Sequence, residues 1–298
     1  MIPGRQSGTQ VHVPVLPTEV IFYLNIITDG IYLDGTVGLG GHASLILDHL
    51  SPKGHFIGTD LDNEALLLCN KRLSGYPTPV SLFHNSYHNF NATLDELGID
   101  QVNGFLLDLG LSSLQMDSHL RGFSYSTDSD LDMRFDSSQE IKASGILNHL
   151  SVNDLANVIF QYGEERRSRA IAKSIVKMRP LTTVFDLVES IRRSTPPNHR
   201  DRTLARVFQA IRIKVNGELE KLETFLSTFR DRLVIGGRVA IISFHSLEDR
   251  LVKHSFKELA KEGVLSILTK KPVIATNEEM AENRRSRSAK LRVAERIS

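Results

Sequence analysis

Ile31-Tyr-Leu-Asp34-Gly-Thr-Val-Gly-Leu-Gly-Gly41, followed by Ala43-Ser-Leu-Ile-Leu-Asp-His-Leu50, decides the fold. Three apolar residues ending in an acid read as a short buried strand, the glycines as a tight turn, and the second stretch as a helix. Glycine suits such a turn because it lacks Cβ, tolerates positive φ and lets backbone approach a ligand closely. The pattern then repeats. Gly54 to Asp60 reads as a second strand and Glu64 to Leu73 as a helix with Cys69 among apolar neighbours. Val80 to Phe83 and Asn103 to Asp108 read as two further strands. Strands alternating with helices at this spacing predict an α/β fold with a parallel sheet covered on both faces.

Past Asp117 the alternation stops. Residues 118–217 read as helical at 151–161, 164–178, 183–193 and 203–215, punctuated by Pro180, Pro196 and Pro197. From about 218 the α/β pattern returns. Leu219 to Leu233 reads as a helix, Gly236-Gly237 as a turn, Arg238 to Phe244 as a strand, and Leu291 to Ala294 as a last strand after the basic segment Arg284 to Arg292. The expected organisation is one discontinuous domain, residues 1–117 and 218–298, interrupted by an inserted all-helical domain, residues 118–217.

Composition narrows the class. The chain has 298 residues, 41% hydrophobic and 24% charged, which suits a globular protein of about two domains. A single cysteine excludes internal disulfides and cysteine-cluster metal sites. No apolar run approaches the roughly 18 residues of a membrane span, and MIPGRQSGTQ has no signal-peptide pattern, so a cytoplasmic protein is expected. The net charge of +1 conceals an asymmetry. Residues 1–117 carry 4 basic and 12 acidic side chains, 118–217 carry 16 and 11, and 218–298 carry 16 and 12. An acidic first part is joined to two basic ones, which leaves a polyanionic partner open.

The glycine-rich turn and its neighbours form a candidate cofactor site. Gly38-Leu-Gly40-Gly-His-Ala43 matches the G-x-G-x-x-A fingerprint of dinucleotide sites, so NAD binding is one reading. Asp34, at the end of the first strand, favours an ammonium group over a pyrophosphate. Asp60, about 20 residues on, suits ribose hydroxyls. Acid, glycine turn and acid together favour S-adenosyl-L-methionine, a phosphate-free cation. Asp108-Leu-Gly-Leu-Ser-Ser113 follows the fourth strand at the edge where ligands bind; Ser112 or Ser113 also suits a helix cap.

Several of these pieces, taken with others, resemble the RsmH (MraW) methyltransferase family. They are His12-Val-Pro-Val-Leu, Asp34 to His42, Asp108 to Gln115, Arg121-Gly-Phe-Ser124, Leu131-Asp-Met-Arg134 and Tyr162-Gly-Glu-Glu165. Further along come Phe208 to Asn216, Ser243 to Arg250 and Arg285 to Arg292, all in family order. The resemblance implies a Rossmann-like class I S-adenosylmethionine-dependent domain with a helical insertion. It implies methylation of the exocyclic N4 of one cytidine in the decoding region of 16S ribosomal RNA, within the small subunit or its assembly intermediate. Cofactor contacts carry over to Gly40, Gly41, His42, Asp60, Asp108 and Gln115. Tyr87 stands where Phe is expected beside the adenine. Asp60-Leu-Asp-Asn63 and Asp128-Ser-Asp130 also depart from the family pattern.

Transfer to N4 needs acceptors for the amine protons, because that lone pair is delocalised into the ring. Asp108 is the candidate acceptor. His245 is a candidate base at the sheet edge, although Ser246-Leu-Glu-Asp249 has the spacing of a capping box. Phe123, Tyr125 and Phe244 are candidate stacking surfaces for a splayed base. Histidine spacing predicts no catalytic metal. Arg134, Arg166, Arg167, Arg206, Arg212 and Arg287 are the expected RNA contacts, with Glu164 and Glu165 opening the helix that follows. A DNA amino-methyltransferase would carry a Pro-Pro-Tyr-type loop where Asp108-Leu-Gly-Leu stands. A cofactor-sensing RNA-binding factor remains the non-enzymatic alternative. The oligomeric state, homodimer included, is left open.

Overall fold

The computed structural model describes residues 13–112, 115 and 121–298. His12, the alternative cap Ser113 and the expected boundary at 117/118 lie outside them. Among these residues seven strands form one sheet. They are β1 (Ile31–Asp34), β2 (His55–Asp60), β3 (Val80–His84), β4 (Val102–Asp108), β5 (Leu233–Ser243), β6 (Leu265–Ile267) and β7 (Lys290–Arg296). Their spatial order is β3-β2-β1-β4-β5-β7-β6. Strands β1 to β5 are mutually parallel, whereas β7 runs antiparallel to β5 and β6 antiparallel to β7.

The chain leaves β1 outward to β2 and β3, then returns to place β4 on the other side of β1. This reversal opens a crevice between the carboxyl ends of β1 and β4, where Asp34 and Asp108 stand. Alternation along β4 covers both faces. Phe105 and Leu107 join the core with Phe90, Phe225 and Phe229; Leu106 joins Val37, Ile46 and Phe56 on the other face. The covering helices are α1 (Pro17–Leu24), α2 (Gly41–Leu47), α3 (Asn63–Leu73) and α4 (Phe90–Glu96). Residues 143–216 contribute α5 (Ala143–His149), α6 (Val152–Gly163), α7 (Ser168–Met178), α8 (Val184–Ser194) and α9 (Arg200–Asn216). They are followed by α10 (Glu218–Thr228), α11 (Ser246–Lys261) and α12 (Asn277–Glu282).

Helices α5 to α9 bury their own core, from Leu131 to Val215, separate from the two sheet cores. Ser151 caps α6, and Thr183 with Asp186 forms a full capping box on α8. Three expectations are corrected. Glu164 and Glu165 do not open a helix: Glu164 ends α6 in the left-handed region at φ 48°, and α7 starts at Ser168. Gly236-Gly237 is no turn before a strand. The register of β5 on β4 jumps from Val102–Leu233 to Gly104–Arg238, so the glycines form an irregularity inside one longer strand. The helix expected to reach Leu233 stops at Thr228, followed by a 3₁₀ turn at Phe229–Arg232.

Candidate active site

A pocket occupies the crevice. Among the expected cofactor residues Gly41, His42, Asp60, Tyr87, Asp108 and Gln115 line it, whereas Asp34 and Gly40 stand behind the wall. Asp34 anchors the turn: its Oδ1 accepts from Thr36 N at 2.9 Å and Thr36 Oγ1 at 3.3 Å. Gly40 precedes α2 at φ 78°, and a Cβ there would lie 3.0 Å from Cys69 Sγ, so it fits the turn to the helix behind it. Asp60 accepts from Gly38 N at 2.8 Å through Oδ2 and from Asp62 N at 2.9 Å through Oδ1, tying the turn to the end of β2. Gln115 Oε1 accepts from Ser112 N at 3.1 Å while Ser112 Oγ accepts from Gln115 N at 3.2 Å, a reciprocal pair of bonds.

Burial crowds three acids here. It pushes Asp34 up to about 7 against the opposing Thr36 N–H, and Asp60 up to about 6. Burial also raises Asp108, although His42 and Arg285 act in the opposite direction. Among the described residues Asp108 Oδ1 is buried without a hydrogen-bond partner, and Oδ2 lies 4.0 Å from His42 Nδ1. His42 Nε2 donates to Val15 O at 2.8 Å, which fixes the ring against the segment before α1.

The sequence profile of the MraW methylase family matches residues 9–297. The Ribosomal RNA small subunit methyltransferase H of Kosmotoga olearia is 48% identical over 299 residues, 98% of this chain and 100% of the relative. That of Thermosipho africanus is 49% identical over 290 residues, 96% of this chain and 98% of the relative. The chain belongs to the MraW methylase family. The cofactor of this MraW chain is S-adenosylmethionine, and the residues present fit it. Asp108 offers an unmatched buried carboxylate oxygen to an N–H donor, Asp60 faces the pocket beside a turn whose Gly38 sits at φ 49°, and the acids suit a cation and repel a pyrophosphate.

The opposite wall of the MraW pocket holds residues that sequence reasoning missed: Phe135, Asn216, Glu218, Lys221, Glu248 and Arg285. All but Lys221 fall in or beside the family motifs, but no spacing rule assigns them to this wall. Arg285, from the basic carboxyl segment, donates to Leu111 O at 2.7 Å and lies 6.0 Å over the Phe244 ring. Tyr87 donates to Glu218 O at 3.3 Å and meets Phe225 edge-on. Glu218, His245 and Glu248 offer ligand atoms within 4.8 Å of one another. Arg212 binds both Glu218 oxygens at 2.9 Å, and His245 Nδ1 accepts from Glu248 N at 3.3 Å, which leaves the ring proton on Nε2. That chemistry describes an ion-pair network rather than a set of metal ligands.

His245 is thereby corrected from base to helix cap. The capping box runs one residue earlier than expected, from His245 to Glu248, whose Oε2 accepts from His245 N at 3.3 Å. The released Ser246 donates to Glu164 Oε2 at 2.7 Å, and Arg250 pairs with Glu164 at 3.0 Å, so the Tyr162-Gly-Glu-Glu165 motif latches the helical segment to α11. Asp249 instead pairs with Arg292 and Lys290.

The expected RNA contacts divide. Arg166, Arg167 and Arg287 are exposed, and Arg206 is partly exposed beside Glu165 at 3.6 Å. Arg134 and Arg212 are corrected. Arg134 is spent on Asp132 at 2.7 Å and on the carbonyls of Ser137 and Gln139, and Arg212 on Glu218. A guanidinium already satisfied by a carboxylate has few donors left for phosphate. Of the candidate stacking rings, Phe123 packs on Phe135 and Tyr125 on Phe208 at the helical core.

Proposed function

We propose that this chain methylates the exocyclic N4 of a cytidine in the decoding region of 16S ribosomal RNA, acting in the cytoplasm on the small subunit or its assembly intermediate. The observation that carries this reading is the full-length match to relatives named Ribosomal RNA small subunit methyltransferase H. Bound in the pocket, S-adenosylmethionine supplies an electrophilic methyl group on a cationic sulfur. Asp60 would hold the ribose hydroxyls, the backbone between Gly38 and His42 would hold the amino-acid portion, and Asp108 would offer its unmatched oxygen to an N–H donor of the cofactor. Glu218, Glu248 and the loop closed by Arg285 form the opposite wall, where the target base is received. Residues 118–217 recognise RNA through their exposed arginines, whose phosphate contacts position the strand without reading its sequence.

Labelled methyl transfer tests this directly, using 30S subunits or naked 16S RNA from a strain lacking the modification, followed by nucleoside analysis. Label on N4 of one cytidine is expected. Label on a cytidine carbon or on protein, with none on N4, overturns the substrate. Calorimetry showing tight NAD binding and no S-adenosylmethionine binding overturns the cofactor.

A further inference from the structure

Asp108 is the acid that motif reading offers as acceptor for the amine protons, but it belongs to the cofactor side of the pocket. It ends β4 and lies 4.0 Å from His42 at the start of α2, and the His42 and Arg285 charges oppose its rise on burial. Glu248 lines the same pocket from α11, on the side next to the helical segment. Its carboxylate is aimed by backbone: Oε2 accepts from Phe244 N at 2.9 Å and from His245 N at 3.3 Å. Among the described residues no aligned N–H reaches Oε1. His245 Nε2 lies 3.1 Å away, off line for a hydrogen bond, and is itself buried without a partner among those residues. The neighbouring Glu218 cannot serve, since Arg212 holds both its oxygens.

We propose that Glu248 Oε1 accepts first the hydrogen bond and then the proton of the target base's exocyclic amine, and that His245 positions it for this. The assignment rests on the reading above that the substrate is an exocyclic amine. Such a group presents N–H donors and requires an acceptor, whereas the carbonyl oxygen that uracil presents at the same position is repelled by a carboxylate. The atoms balance. N4 donates its lone pair to the methyl carbon, the C–S bond breaks and its pair stays on sulfur, and N4 loses one proton to Oε1. Glu248 then returns that proton to solvent. The role demands an ionised acid. Although burial opposes it, the His245 ring, the Arg212 guanidinium and the Phe244 N–H hold the Glu248 carboxyl below its ordinary range, while burial raises Asp108. Two acids of one site are thus shifted in opposite directions, as a division of labour requires.

Glu248→Gln tests this, because glutamine also completes a capping box and so removes only the charge and the proton affinity. With small-subunit RNA as substrate, kcat should fall about 100-fold or more while S-adenosylmethionine affinity stays within about twofold. Asp108→Asn should instead weaken the cofactor. A Glu248→Gln enzyme within about threefold of the unmodified kcat overturns the proposal. If that variant does not fold, Glu248→Asp decides, since it keeps the charge and retracts the oxygen: undiminished kcat overturns the proposal, and reduced kcat with unchanged cofactor affinity supports it. N4 label from the unmodified enzyme alongside an unaffected variant defeats this assignment alone. Absence of N4 label from the unmodified enzyme defeats the substrate reading and the assignment together.

Discussion

At the residue scale, the site is a set of buried carboxyls whose protonation answers to charge. Asp34 at about 7 and Asp60 at about 6 hold protons that the unfolded chain, with carboxyl values near 4, has already lost. The native state therefore binds more protons than the unfolded one between pH 4 and 7, and the stability of the unliganded protein falls as pH rises through that window. A cationic ligand favours the ionised forms, so binding releases protons. Affinity for S-adenosylmethionine should increase several-fold from pH 5.5 to 7.5, and calorimetric heats should depend on the ionisation enthalpy of the buffer. Constant affinity and buffer-independent heats would count against the acids facing a cation. Asp34 and Asp60 were legible in the sequence because strand-end acids flanking a glycine turn have a known chemistry. That Asp34 turns back onto Thr36 was not, since it depends on side-chain conformation.

Element contacts set how the helical segment meets the sheet domain. At Gly163, the last residue of α6, a Cβ would lie 2.6 Å from Arg206 O on α9, so the two helices approach only because this position lacks a side chain. Gly163→Ala should destabilise the protein by about 1–3 kcal/mol through overpacking. Gly145, within α5, has nothing within 4 Å of its Cβ position, and Gly145→Ala should be neutral or stabilising by about 0.5–1 kcal/mol. Paired denaturant titrations check both, and equal effects would refute the close-approach argument. Helices with strong caps, such as α6 and α8, were readable within about a turn. The break at Glu164 was not. Its left-handed backbone is stabilised by Ser246 and Arg250, more than 80 residues away in sequence.

For the whole molecule, exposed cations on the helical segment predict an electrostatic RNA contact. Arg166, Arg167 and Arg169 are exposed and make no ion pair among the described residues. Replacing all three with Ala should weaken RNA binding and reduce the slope of log affinity against log salt by up to about 2, at roughly 0.7 per single-strand phosphate contact. Cofactor affinity should not change. An unaltered slope, measured by filter binding at several salt concentrations, would place the RNA elsewhere.

The sequence by itself determined the parallel α/β half and the run of helices between its two parts, because periodicity, caps and glycine turns are local signals. Only the tertiary structure decided that β7 inserts antiparallel beside β5, since strand pairing is a choice between distant segments. It also decided which charges are spent. Arg134 and Arg212 read as free cations until their carboxylate partners are placed beside them, and Glu248 reads as an ordinary helix acid until folding brings it into the pocket. Availability of a charged group depends on what surrounds it in space, and a list of residues does not contain that information.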